Sequence, residues 1–113
     1  MKKEMANEPN YSRIVSFYVG NAIKYSVAGA LIIERLRLVE HQGGDNIYSV
    51  AGKKYLIASL IDFSEMYPFL SITQIKVALN ELVNDGAVER RIFADSSFAQ
   101  TALYALTDKG WEI

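Results

Sequence analysis

The chain has 113 residues, half of them apolar or aromatic, which suits one domain able to bury a core. Its formal net charge of −1 excludes bulk electrostatic attraction to phosphates or anionic lipid, so any nucleic-acid affinity has to come from a local patch. With no cysteine there is no disulfide framework, thiol nucleophile or Cys-type zinc site, and with no leader-like segment visible a cytoplasmic protein is expected.

Residues 1–12 mix lysine, glutamate and asparagine with Pro9 and read as a flexible tail ahead of a single domain over 13–113. The run Ile14, Val15, Phe17, Tyr18, Val19 is short and apolar, and its periodicity does not decide between strand and helix. From Ser26 to Gln42 the composition is helical and ends at Gly43-Gly44. Helical spacing puts Ala28, Ile32, Leu36 and Val39 on one stripe and Val27, Leu31 and Leu38 on another. The second stripe is either a second buried side of a central helix or the seam of a homodimer formed through residues 26–42. The longest apolar stretch, Val27 to Ile33, is too short to span a bilayer and runs into Glu34, so no membrane segment is expected.

Gly43 to Asn46 reads as a loop, followed by a short strand over Tyr55 to Ala58. Ser59 and Asp62 cap a short helix over Leu60 to Tyr67 that Pro68 closes. The clearest helix runs from Ile72 to Asp85: Ser71 and Gln74 form a Ser-x-x-Gln capping box, and Gly86 supplies the left-handed residue that ends it. Ile72, Ile75, Ala78, Leu79, Leu82 and Val83 share its apolar face. Ala87 to Phe93 and Ala99 to Leu106 then read as the two strands of a hairpin with a polar tip at Ala94-Asp95-Ser96-Ser97, and Thr107 caps a last turn.

Catalytic chemistry finds no foothold. His41 is the lone histidine, with no second His or Cys at ligand spacing, and no phosphate-loop, dinucleotide or nucleophile-elbow motif is present. We therefore nominate no catalytic, metal or cofactor-binding residue and expect a binding protein, not an enzyme. The tyrosines are spread along the chain, which favours packing roles over a stacking platform for single strands.

The order of elements does carry a signal: short helix, tight turn, capped amphipathic helix, hairpin. Pro68-Phe69-Leu70-Ser71, then Ile75, Ala78-Leu79, Leu82-Val83 and Asp85-Gly86-Ala87-Val88-Glu89, closing on Tyr104-Ala105-Leu106-Thr107-Asp108-Lys109-Gly110, resemble winged helix-turn-helix DNA-binding domains. The closing span is similar to that of PadR- and MarR-like transcription regulators, and the Pro-Phe-Leu-Ser turn to phage replication-initiation proteins. The resemblance implies an α+β winged helix, mainly helical with a small antiparallel hairpin: helix-turn-helix over 59–85, recognition helix within it, wing over 87–106. It further implies a DNA-binding regulator or replication-associated factor of phage or mobile-element type. In the regulators a long dimerising helix follows the closing signal; here the chain ends three residues after Gly110, so dimerisation is expected on the helix of residues 26–42.

On the exposed face of the proposed recognition helix, Gln74 and Asn80 have the amide geometry that pairs with adenine edges. Lys76 reaches guanine or phosphate, Val77 suits a thymine methyl, and Thr73 lies beside them. Arg90 and Arg91 on the wing, with Lys53 and Lys54, are the candidates for phosphate contacts. Against them, Ser71 to Gly110 holds Glu81, Asp85, Glu89, Asp95 and Asp108, so duplex DNA is bound only if the cations gather on one face. The alternative is a protein-interaction or inhibitor module, with Val77 at the centre of the contact.

Overall fold

A computed structural model of the chain describes residues 13–41, 43–92 and 101–113. The tail over 1–12, Gln42, and the hairpin tip with the adjoining strand ends over 93–100 lie outside the described residues.

Helix α1 runs from Val19 to Leu38 and is broken at Ser26, whose backbone adopts φ 76° and ψ 167°. The Ser26 hydroxyl accepts the Gly29 N–H at 3.3 Å, so Ser26 acts as the N-cap of the second arm, residues 27–38. The serine that reads as a helix start is thus a start within a longer element. The expected end at Gln42 also shortens: after Leu38 a 3₁₀ turn covers Val39–His41. The segment that left strand and helix open is without regular secondary structure up to Tyr18 and helix from Val19.

Two strands follow: β1, Ile47–Val50, and β2, Lys53–Ser59. They form an antiparallel hairpin pairing Val50 with Lys53 across Ala51-Gly52, both of which have positive φ. Ser59 ends β2 and caps α2, Leu60–Met66, with Asp62 completing a reciprocal capping box. Tyr67 to Ser71 make the turn into α3, Ile72–Asn84, where the Ser71–Gln74 box is formed at both of its bonds. Gly86, at φ 81°, ends that helix. Strand β3, Val88–Ile92, pairs with β4, Thr101–Leu106, and a last turn of helix α4, Asp108–Trp111, is capped by Thr107.

The architecture is α+β, with a four-stranded antiparallel sheet in the order β1-β2-β4-β3. Helix outweighs strand, as expected, but the sheet is larger than the single small hairpin that the sequence suggests. The expected hairpin exists, but β4 also pairs with β2, whose own hairpin partner is β1. One face of the sheet, with Leu56, Ala58, Tyr104 and Leu106, packs on Leu31, Ile32 and Leu36 of α1 and on Ile75, Leu79 and Leu82 of α3. Phe63 of α2 meets Tyr104 edge to face, ring centres 5.5 Å apart. Each such large side chain, removed from water, contributes roughly 1.5–3 kcal/mol. The first stripe, Ala28, Ile32, Leu36 and Val39, enters this core whole, and the second enters it through Leu31 alone. Leu31 is 1 % exposed, whereas Val27 and Leu38, the other two residues of that stripe, lie at the surface.

Candidate nucleic-acid interface

Helix α3 is anchored through Ile75, Ala78, Leu79 and Leu82, all buried, which fixes the direction of every other side chain on it. Thr73, Lys76 and Val77 project into solvent, and Asn80 lies half-buried beside the sheet. Ile72, expected in the core, is exposed instead.

In a strand successive side chains point to opposite faces. Arg90 pairs across from Tyr104 and so lies on the helix side of the sheet, whereas Arg91 pairs across from Leu103 on the other side. Arg90 Nη1 donates to Asn80 Oδ1 at 3.1 Å, linking β3 to α3. Lys76, Asn80, Arg90, Ile92 and Tyr104 line one shallow cavity of about 280 Å³ between the helix and the strands. Neither Lys76 nor Arg90 is ion-paired to a carboxylate among the described residues. Tyr104 is pushed above the ordinary phenol range, chiefly by burial.

The remaining nominated cations go elsewhere. On the outer face of the sheet Glu89 accepts from Lys53 Nζ at 2.9 Å, from Arg91 Nε at 2.6 Å and from the Tyr55 hydroxyl at 3.1 Å. Both cations also lie over the Tyr55 ring, 5.5 and 5.2 Å from its centre. This cluster holds the Glu89 carboxyl down to about 2, with the Lys53 bond the largest cause. Lys54 Nζ reaches the Glu40 carbonyl at 3.4 Å, beyond the end of α1. Gln74 is not a free reader either: its Oε1 accepts the Ser71 N–H at 2.8 Å, completing the cap of α3.

The nominated set therefore divides. Thr73, Lys76, Val77, Asn80 and Arg90 share one side of the molecule, Gln74 is held in the cap, and Lys53, Lys54 and Arg91 are engaged away from that side. The alternation of side chains along β3 carried the signal for separating Arg90 from Arg91. Sequence reasoning missed the apolar surroundings of α3: Ile61, Phe69, Ile72 and Ile92 are all exposed, as is Val77.

A second cluster sits at the far end of α3. The Tyr25 hydroxyl donates to Asp85, and Lys109 and Lys24 lie 3.3 and 3.7 Å from the same carboxylate. Burial, then the bond to Asp85, pushes the Tyr25 phenol up to about 12, and the Tyr25 and Lys109 contacts hold Asp85 below the usual carboxylate range. Four of the tyrosines, at 25, 55, 67 and 104, are buried, which fits packing roles.

Among the described residues no group of three or more His, Cys, Asp or Glu side chains is placed to hold a metal ion, and no helix is long and apolar enough to cross a membrane. No protein-family model matches the chain, and no curated protein or solved structure matches it.

Proposed function

We propose that this chain is a winged helix-turn-helix protein that binds duplex DNA, with α3 as the recognition helix and the β3–β4 hairpin as the wing. Its role is that of a small transcriptional regulator or replication-associated factor of phage or mobile-element type. What carries the reading is the meeting of Lys76, Asn80 and Arg90 in one cavity beside the exposed Thr73 and Val77, with neither cation paired to a carboxylate among the described residues. A helix presented in this way enters the major groove: Lys76 contacts guanine or phosphate, Val77 a thymine methyl, and Arg90 the backbone that borders the groove. Asn80 reads an adenine edge once its carbonyl is released from Arg90.

Two uncompensated cations make a weak binder that depends on salt. The test is fluorescence anisotropy of a labelled duplex titrated with protein over a salt series. We expect binding near ~50 mM salt with a log–log slope of about −2, roughly −0.9 for each phosphate neutralised. No binding at that salt rejects the reading.

A second reading has its own observation behind it. Phe69, Ile72 and Val77 present exposed apolar surface on and beside α3. Such a surface suits a protein partner. Failure of the DNA titration, with α3 intact by circular dichroism, favours it.

A further inference from the structure

Arg90 and Arg91 are neighbours on β3 with opposite commitments. Arg91 is tied to a carboxylate, its Nε 2.6 Å from Glu89. Arg90 is held among the described residues by neutral groups alone. Its Nη1 donates to Asn80 Oδ1 at 3.1 Å, and it lies close enough to the Tyr104 hydroxyl to oppose part of the rise that burial imposes on that phenol. A guanidinium binds phosphate through two parallel charge-assisted bonds, which a single amide oxygen cannot match. Of the two arginines, Arg90 is therefore the one that a phosphate can draw away.

The acceptor it would leave is the one that base reading needs. Asparagine pairs with adenine through both ends of its amide, the oxygen to the N6 amino group and the nitrogen to N7. With Oδ1 on Arg90, Asn80 offers its donor end only. The side chain cannot turn away as a whole, because Leu79 and Leu82, buried on either side of it in sequence, fix the rotation of α3.

We infer that Arg90 is a positioning residue that gates Asn80: it occupies the amide oxygen in the free protein and, on duplex DNA, transfers to a backbone phosphate and frees that oxygen for an adenine edge. This coupling rests on the DNA reading above and adds that phosphate contact and base readout are linked through one bond. Lys76 lines the same cavity, and its phosphate contact is independent of the gate. Salt separates the two contacts of Arg90. A tenfold rise weakens a phosphate contact by about eightfold, at roughly −0.9 in log–log slope, while the internal bond to Asn80 releases no counterion. The gate thus closes as salt rises, and the adenine preference falls with it.

The test is fluorescence anisotropy with two labelled duplexes of about 20 base pairs, two helical turns, one of alternating A·T and one of alternating G·C. Salt runs from about 20 to about 200 mM, and the quantity read is the ratio of the two affinities. The share of that ratio removed by Asn80→Ala belongs to the amide. The wild-type share is expected to fall by up to about eightfold across the range. Arg90→Met is expected to bind more weakly and hold its share constant, and Lys76→Gln to bind more weakly and keep the wild-type trend. A wild-type ratio that does not change with salt overturns the gate and leaves the DNA reading standing. So does an equal fall in Arg90→Met, or a ratio that Asn80→Ala does not alter. Binding of neither duplex at the lowest salt overturns both. Should Arg90→Met fail to fold by circular dichroism, the wild-type trend against that of Asn80→Ala decides.

Discussion

Single residues bear unequal weight in this fold, and Glu89 shows why. Its side chain is 27 % exposed yet takes bonds from Lys53, Arg91 and Tyr55. A carboxyl held down to about 2 in the folded chain has a lower proton affinity there than in the unfolded chain, where it titrates near ~4.3. The stabilisation is therefore complete above that unfolded value and is lost as pH falls towards 2. Solvent screening around the two exposed cations limits it to about 1 kcal/mol. Urea unfolding as a function of pH should show wild type losing this increment over that window while Glu89→Gln, already lacking it, falls less steeply. Parallel curves would remove Glu89 from the account. Gly110 is constrained by space, not charge. A Cβ there would land on the Ala87 carbonyl oxygen and against Leu106, where the Thr107 N–H already bonds that same oxygen at 3.0 Å. Gly110→Ala is expected to cost roughly 1–3 kcal/mol, the usual range for overpacking, read as a lowered urea midpoint with unchanged slope.

At the scale of elements, what was legible from sequence tracks how local each signal is. Helix α3 carries both of its ends in the chain, Ser71 with Gln74 and then Gly86, and both are formed. The first hairpin was illegible because its turn uses Ala51, at φ 53°, where Asn before Gly would have announced a two-residue turn. Gly52-Lys53-Lys54 consequently reads as an interruption, although Lys53 and Lys54 belong to β2. Ala51→Asn relieves the left-handed strain and is expected to stabilise the protein by about 0.5–1 kcal/mol, visible as a higher thermal midpoint. No gain would mean that this turn is not limiting. The first arm of α1 escaped notice for a different reason. Tyr18 gives it no side-chain cap, and its apolar residues face outward, so neither end signal nor core pattern marks it, while Ser26 offers a genuine cap one arm too late. The candidate site was half legible: Lys76 and Asn80 follow from the helix period and the strand period would have separated Arg90 from Arg91, but the capture of Lys53 by Glu89 depends on β4 lying between β2 and β3, which is tertiary.

Across the whole molecule, charge is sorted by face. The outer face of the sheet neutralises Lys53 and Arg91 against Glu89, the far end of α3 gathers Lys24 and Lys109 at Asp85, and the junction of α3 with the sheet keeps Lys76 and Arg90 without a carboxylate among the described residues. A chain with net charge −1 can in this way present a locally basic surface. The most direct measurement is the salt dependence of duplex binding for Lys76→Gln, Arg90→Gln and Lys53→Gln, each checked by circular dichroism. The account predicts that the first two variants each reduce the log–log slope by about 1, while Lys53→Gln leaves it unchanged. Equal loss in all three variants, or slopes that none of them alters, would contradict it.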